Sequence, residues 1–153
     1  MLQRGFSMIE ILVVLAMFVM MTGFGLYVNM ENYRGSSFHS DRDLFVSLLQ
    51  HARAQAISNK CGGSNCNFNG KAHGVFIQSD SYVIYQGTAS TSRDFSEDAV
   101  FAANPSLTRT GALDFNFSQL TATTSGDKTM TLAGGGKTSD ITVSTEGQIT
   151  WTH

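Results

Sequence analysis

Charge is scarce in this 153-residue sequence. Asp, Glu, Lys and Arg together make up 14 % of it, against roughly 25 % in an average soluble domain. Part of the shortfall has one location, because no charged residue occurs from Ile11 to Val28. The charge that is present sums to -2, with a pI near 6.0, so no basic excess calls for nucleic acid or an anionic membrane surface as the main partner. Cysteine is almost absent too. Cys61 and Cys66 are the only two, which excludes a framework of several disulfides; a lone close pair suits one small disulfide in an oxidising compartment. A hydrophobic share of 42 % excludes wholesale disorder and fits one domain of ordinary size. A single proline against 15 glycines, with many Thr and Ser beyond residue 86, suits short strands joined by polar turns.

The amino terminus carries most of the information. One cation, Arg4, precedes a long apolar stretch, and residues Phe6 to Val28 would rise about 34 Å as a helix, enough for the roughly 30 Å hydrocarbon core of a bilayer. A cleaved secretory signal has a shorter apolar core, roughly 7–15 residues, that ends at a small-residue cleavage site. No such site follows this run. A plain membrane anchor accounts for the length and the positive flank, but not for Glu10. A carboxylate driven to the bilayer centre costs on the order of 2.5–3.5 kcal/mol, and something has to offset that cost.

The string Gly5-Phe6-Ser7-Met8-Ile9-Glu10, after a short basic leader and before an unbroken apolar helix, resembles the processing site of the type IV prepilins and pseudopilins. In that family a dedicated membrane peptidase cuts after the glycine on the cytoplasmic face and methylates the new terminal amine. The resemblance implies that residues 1–5 are a prepilin leader, that Phe6 becomes the N-terminus, and that the apolar segment 6–28 is kept as a transmembrane and filament-core helix. It also implies that Glu10 pairs with the terminal ammonium of a neighbouring subunit, which is the offset a buried carboxylate needs. Many major pilins of the family have a proline late in this helix, and this chain has none. Gly23 and Gly25 stand in that region, where glycine either weakens the helix by about 1 kcal/mol or allows close helix packing.

Beyond Val28 the pattern becomes amphipathic. Phe38, Phe45, Leu48, Leu49, Ala52 and Ala56 recur on one helical face, while Asp41, Arg42, Asp43, Gln50, Arg53 and Asn59 fall mostly elsewhere. Segment 29–60 is therefore expected to lay one stripe on a sheet. Continuity with the first segment is open at Gly35-Ser36-Ser37, and Ser40 to Asp43 has capping-box spacing with Asp in place of Glu; one long helix, bent near Gly35, is the favoured reading. From residue 61 to 153 the period is two. Gly74 to Gln78 and Tyr82 to Tyr85 flank Ser79-Asp80-Ser81 as a hairpin. Further strands are expected at Ala99 to Ala103, Leu113 to Phe117, Thr129 to Leu132, Ile141 to Val143 and Gln148 to Trp151. Gly134-Gly135-Gly136 reads as a turn, since it lacks the Lys-Ser/Thr context of a phosphate loop. A helix followed by consecutive strands argues an α+β fold, a long N-terminal helix packed on an antiparallel sheet head. Leu48-Leu49, Ala52-Arg53, Ala56-Ile57, the early cysteine pair, two glycine-led strands and a closing strand-Gly-strand are together similar to the H-type minor pseudopilins and related minor pilins.

No motif for chemistry is found. A disulfide between Cys61 and Cys66 would contribute about 2–3 kcal/mol; the rival is a metal site with His73 or His51, for which a second clear ligand pair is missing. His39, His51, His73 and His153 are scattered and read as solvated or strand-end residues. Asp41, Asp43, Asp94, Glu97 and Asp98 lack calcium-loop spacing and read as solvated surface. No catalytic residue, metal or cofactor is assigned. The resemblance implies a filament subunit rather than an enzyme. It would stay in the bacterial inner membrane before assembly and stand in a periplasmic or cell-surface filament afterwards, either a pilus or fimbria or a type II secretion pseudopilus. The implied partners are other pilin subunits, prepilin peptidase, an inner-membrane assembly platform and the lipid bilayer. A DNA-binding minor pilin needs a basic patch, for which the last 26 residues offer only Lys128 and Lys137. A membrane-anchored periplasmic enzyme lacks a motif.

Overall fold

The computed structural model describes residues 7–63, 66 and 70–152, with the side chains of 25–34 outside the description. The fold is α+β with antiparallel sheets. Helix α1 runs from Met8 to Ile57 and passes through Gly35-Ser36-Ser37 without a break. Ser40 and Asp43 therefore lie inside the helix and form no cap there, contrary to the capping-box spacing. The reason is on the flanks. Phe38 is buried in the core and Asn104 donates to the Ser37 hydroxyl, so tertiary contacts hold the turn that glycine and serine would otherwise loosen.

The strands are β1 (His73–Ile77), β2 (Ser81–Gln86), β3 (Ala99–Ala102), β4 (Thr108–Gly111), β5 (Asp114–Phe117), β6 (Lys128–Gly134), β7 (Lys137–Val143) and β8 (Ile149–Trp151). They form two four-stranded sheets, not the one that was expected: β3-β2-β1-β5 and β4-β6-β7-β8. The cause lies between β4 and β5. Gly111 adopts φ 96°, where a side chain would meet the Thr129 carbonyl, and only glycine takes this conformation without strain. Ala112 still donates to Thr129 in the second sheet, while the Leu113 carbonyl already accepts from Ile77 in the first. One extended run thus changes sheets at Ala112–Leu113. Strand β4 was missed in the sequence because Thr-Arg-Thr-Gly has no apolar alternation. The predicted glycine turn does join β6 to β7, with Gly135 and Gly136 at φ 59° and 75°, the signs required in a two-residue hairpin turn of type I′.

The helix stripe meets the inner faces of both sheets. Phe38, Phe45, Leu48, Leu49, Ala52 and Ala56 are all buried, as expected, against Val75, Ile77, Tyr82, Phe115, Phe117, Met130, Leu132, Ile141 and Val143. Phe45 packs on Tyr82 at 5.0 Å and on Phe115 at 5.7 Å between ring centroids. Asp41 and Arg42, expected away from this stripe, are also buried, at 5 % and 6 % exposure. Asp41 follows Phe38 by three residues and precedes Phe45 by four, so the helical period carries it into the core. There Asp41 Oδ2 accepts from Tyr82 Oη at 2.6 Å and from Arg109 Nη2 at 2.8 Å, and Oδ1 accepts from the Asn104 backbone at 2.9 Å. Arg109 Nε donates to Tyr82 Oη at 2.7 Å. Burial, then the hydrogen bond to Asp41, raises the Tyr82 pKa, against the opposing pull of Arg109.

Removing one partner of such a pair leaves the other charge buried and unpaired, which costs roughly 3–5 kcal/mol. Arg109→Met should therefore lower the unfolding free energy by about that amount in urea titrations. The double replacement Asp41→Leu with Arg109→Met should recover most of the loss; an Arg109→Met protein as stable as wild type would show that the pair pins nothing.

Candidate functional site

Two regions collect the residues singled out in the sequence. The first is the start of α1. Every described residue from Ser7 to Phe24 is exposed, including Ile9, Leu12, Leu15, Phe18, Met21 and Phe24, which point to all sides of the helix. Only two polar side chains interrupt Met8 to Phe24. Thr22 donates its hydroxyl to the carbonyls of Phe18 at 2.8 Å and Val19 at 3.1 Å, so its hydrogen-bonding need is met inside its own helix. Glu10 is the other. It lies in the first turn, where an acid suits the positive helix end. It takes no part in the ion pairs among the described residues, which are Arg42–Asp43, Arg93–Asp98 and Arg109–Asp41.

Gly5 and Phe6 lie outside the described residues, as do the side chains of the later part of the expected span. Among the described residues, no helix is long and apolar enough to cross a membrane. The stretch whose side chains are described, Met8 to Phe24, rises about 26 Å.

The second region lies where α1 ends. Cys61 and Cys66 form a disulfide, with Cα atoms 5.8 Å apart, the usual separation for such a bond. The bonded loop is tied to β2 by one side chain. Gln86 Oε1 accepts from Gly62 N at 2.7 Å, and Gln86 Nε2 donates to Gly62 O at 3.2 Å.

Two of the histidines, His51 and His73, line one cavity together with Lys60 and Glu97. His51 is exposed beside Gln55, His39 lies 3.0 Å from Lys137 Nζ, and His153 is outside the described residues. His73 opens β1 as a strand-end residue but is buried, at 4 % exposure, not solvated. Among the described residues no three His, Cys, Asp or Glu side chains meet as a metal site would require. The acids also depart from a uniform solvated surface. Asp41 is in the core, and Asp98, at 12 % side-chain exposure, pairs with Arg93 at 2.8 Å. Their partners come from distant or irregular segments, for which the sequence offers no periodic signal. Tyr82 and Arg109, which sequence reasoning passed over, had one possible indicator: an acid on the apolar stripe requires a buried partner. No family model, curated protein or solved structure matches this chain.

Burial lowers the His73 pKa; the backbone bond to the Lys71 carbonyl opposes this, while Lys60 and His51 add to it. Since the unfolded side chain titrates near 6.5, stability is fully present above that pH. It falls as the pH drops through the lowered folded-state value, because the unfolded chain binds the proton first. Melting temperature should thus fall on acidification below about pH 6.5, and His73→Gln should flatten that limb. An unchanged pH profile in the variant would assign the acid sensitivity to other groups.

Proposed function

We propose that this chain is a structural subunit of a type IV pilus-like filament, a pilin or pseudopilin. Its apolar helix holds it in the inner membrane, a prepilin peptidase cuts it after Gly5, and the same helix then packs against those of other subunits. The observation that carries this reading is the bare apolar start of α1, uncovered on every side from Ser7 to Phe24. A helix that is hydrophobic all round is normally covered. Each large aliphatic or aromatic side chain gains roughly 1.5–3 kcal/mol on leaving water, so covering the segment is worth on the order of 20 kcal/mol. That far exceeds the roughly 2.5–3.5 kcal/mol penalty of one carboxylate at the bilayer centre. Lipid or neighbouring helices meet the demand of the apolar surface, but only a cation meets that of Glu10. The amine created at Phe6, four residues before Glu10 in the sequence, is the cation proposed for it, in the same chain or in a staggered neighbour.

Two results test the reading. Mass spectrometry of protein from its native host should show loss of Met1 to Gly5 and a methylated amine on Phe6. An intact Met1 or a cut beyond Val28 would sink it. Glu10→Val and Glu10→Gln should leave the protein in the membrane while sharply reducing sheared filaments, since an unpaired ammonium would remain buried on the neighbour. Normal filament yield with both substitutions would remove the role of Glu10, and loss of membrane protein would relocate it to processing or stability.

A further inference from the structure

Several parts of the chain enclose a cavity of about 210 Å³ where α1 ends. His51 lines it from the helix, Lys60 and Gly62 from the segment that follows, and His73 and Gln86 from β1 and β2. Glu97 lines it from residues 87–98, the crossing that leads from β2 to β3. Among the charged side chains of this lining Glu97 is the one anion. With both histidines neutral, Lys60 and Glu97 balance each other. With both protonated, the cavity holds two positive charges in excess, and histidine is the side chain whose charge changes between pH 5 and 8.

His73 is the member of this cluster that cannot turn to water. It is buried, whereas His51 and Lys60 are exposed. Its Nδ1 lies 3.0 Å from the Lys71 carbonyl. A carbonyl only accepts, so Nδ1 carries the proton of the neutral ring and a second proton must enter at Nε2. The strand partners of His73 are Gln86 and Phe117, neither of which titrates. Tyr85 commits its hydroxyl to Asp114, and Glu97 lies against Gly62 and Gly63, where any added side chain would meet its carboxylate. Ser64, Asn65, Asn67, Phe68 and Asn69, outside the description, have no titratable side chain. Burial opposes a charge on His73 most, the Lys71 carbonyl favours it, and Lys60 and His51 oppose it.

The walls of the cavity differ in strength. Helix α1 and strands β1 and β2 belong to the core, but the wall made by Lys60 and Gly62 is held by few bonds. Gln86 accepts from Gly62 N at 2.7 Å and donates to Gly62 O at 3.2 Å, and Lys71 N reaches Lys60 O at 3.4 Å. We propose that this cluster is an acid-operated latch, in which protonation of His73 beside Lys60 and His51 detaches segment 60–62 from Gln86 and opens the cavity while the rest of the head stays folded. Lys60 moves outward with its own segment, and water reaches Nε2 through the gap. Closure is complete above about pH 6.5. It is lost as the pH falls through the lowered value of the closed state, because the open form binds the proton first. The latch does not depend on the filament reading.

The test is hydrogen exchange of the full chain in detergent micelles at about pH 7.5 and about pH 5, corrected for the intrinsic effect of pH on exchange. Protection of segment 60–62 should fall about tenfold in acid, with that of the β6–β7 hairpin unchanged. His73→Gln, which stays neutral and still offers a donor to the Lys71 carbonyl, should keep its protection. Lys60→Gln, at an exposed position, should limit the fall to about threefold, and it keeps the test open if His73→Gln does not fold. No fall in segment 60–62, an equal fall in the β6–β7 hairpin, or an undiminished fall in either variant would overturn the latch. None of these outcomes bears on processing after Gly5 or on Glu10.

Discussion

The carboxylate of Asp41 is the point where the helix and both sheets are fastened to one another. Tyr82 reaches it from β2 in one sheet, Arg109 from β4 in the other, and the Asn104 backbone from the loop between β3 and β4. Apolar packing around Phe45 supplies most of the favourable free energy, but such contacts are non-directional and tolerate sliding. A buried charge does not. If the helix shifted by one turn, Asp41 would lose its partners and the Arg109 guanidinium would be left unpaired, at a cost of several kcal/mol. The network thus fixes the rotation and height of α1 on the sheets, and with them the direction in which the first half of the helix leaves the head.

That direction matters because the two halves of α1 obey different rules. From Phe38 onward the helix has one buried stripe, and its small residues Ala52 and Ala56 let the sheets approach closely. From Ser7 to Phe24 every described residue is exposed, and no face is covered by the other described residues. The junction between the halves is steadied from the head. Asn104 holds Ser37, and Lys137, beside the β6–β7 turn, reaches Gly35 and His39. The helix is thus held to the head at this junction by contacts from two separate segments.

At the other end of the head the chain relies on local covalent and polar ties. The Cys61–Cys66 loop leaves the helix and is held to β2 by the side-chain amide of Gln86. The crossing 87–98 is held by Asp114, which accepts from Tyr85 Oη and Ser90 N, and by the Arg93–Asp98 pair. These ties order the walls of an open groove of about 960 Å³ lined by Lys71, Gly87, Asp94, Phe95 and Asn116 among others.

How much of this was legible beforehand differs from element to element. The apolar run, the stripe Phe38 to Ala56, the hairpin of β1 and β2 and the glycine turn after β6 were all legible, since each rests on a local period or a turn residue. The roles proposed for Gly5, Phe6 and Glu10 rest on a short contiguous motif, whereas the disulfide, expected from two cysteines with no other candidates, is present. The division into two sheets was not legible, because strand periodicity specifies which side of a strand is apolar and not which strand it pairs with. Strand β4 was hidden for the same reason, as its Thr-Arg-Thr-Gly stretch owes its place to pairing with β6. Asp41 looked like a surface acid until Arg109, 68 positions away, was brought beside it. Sequence by itself determined the helix, the apolar strands and the apolar side of each, because those follow from local periodicity, whereas a polar strand such as β4 and a buried acid such as Asp41 do not. Only the tertiary structure decided which charges are buried together, where the sheets part and where a groove opens, because these depend on residues that meet only after the chain has folded.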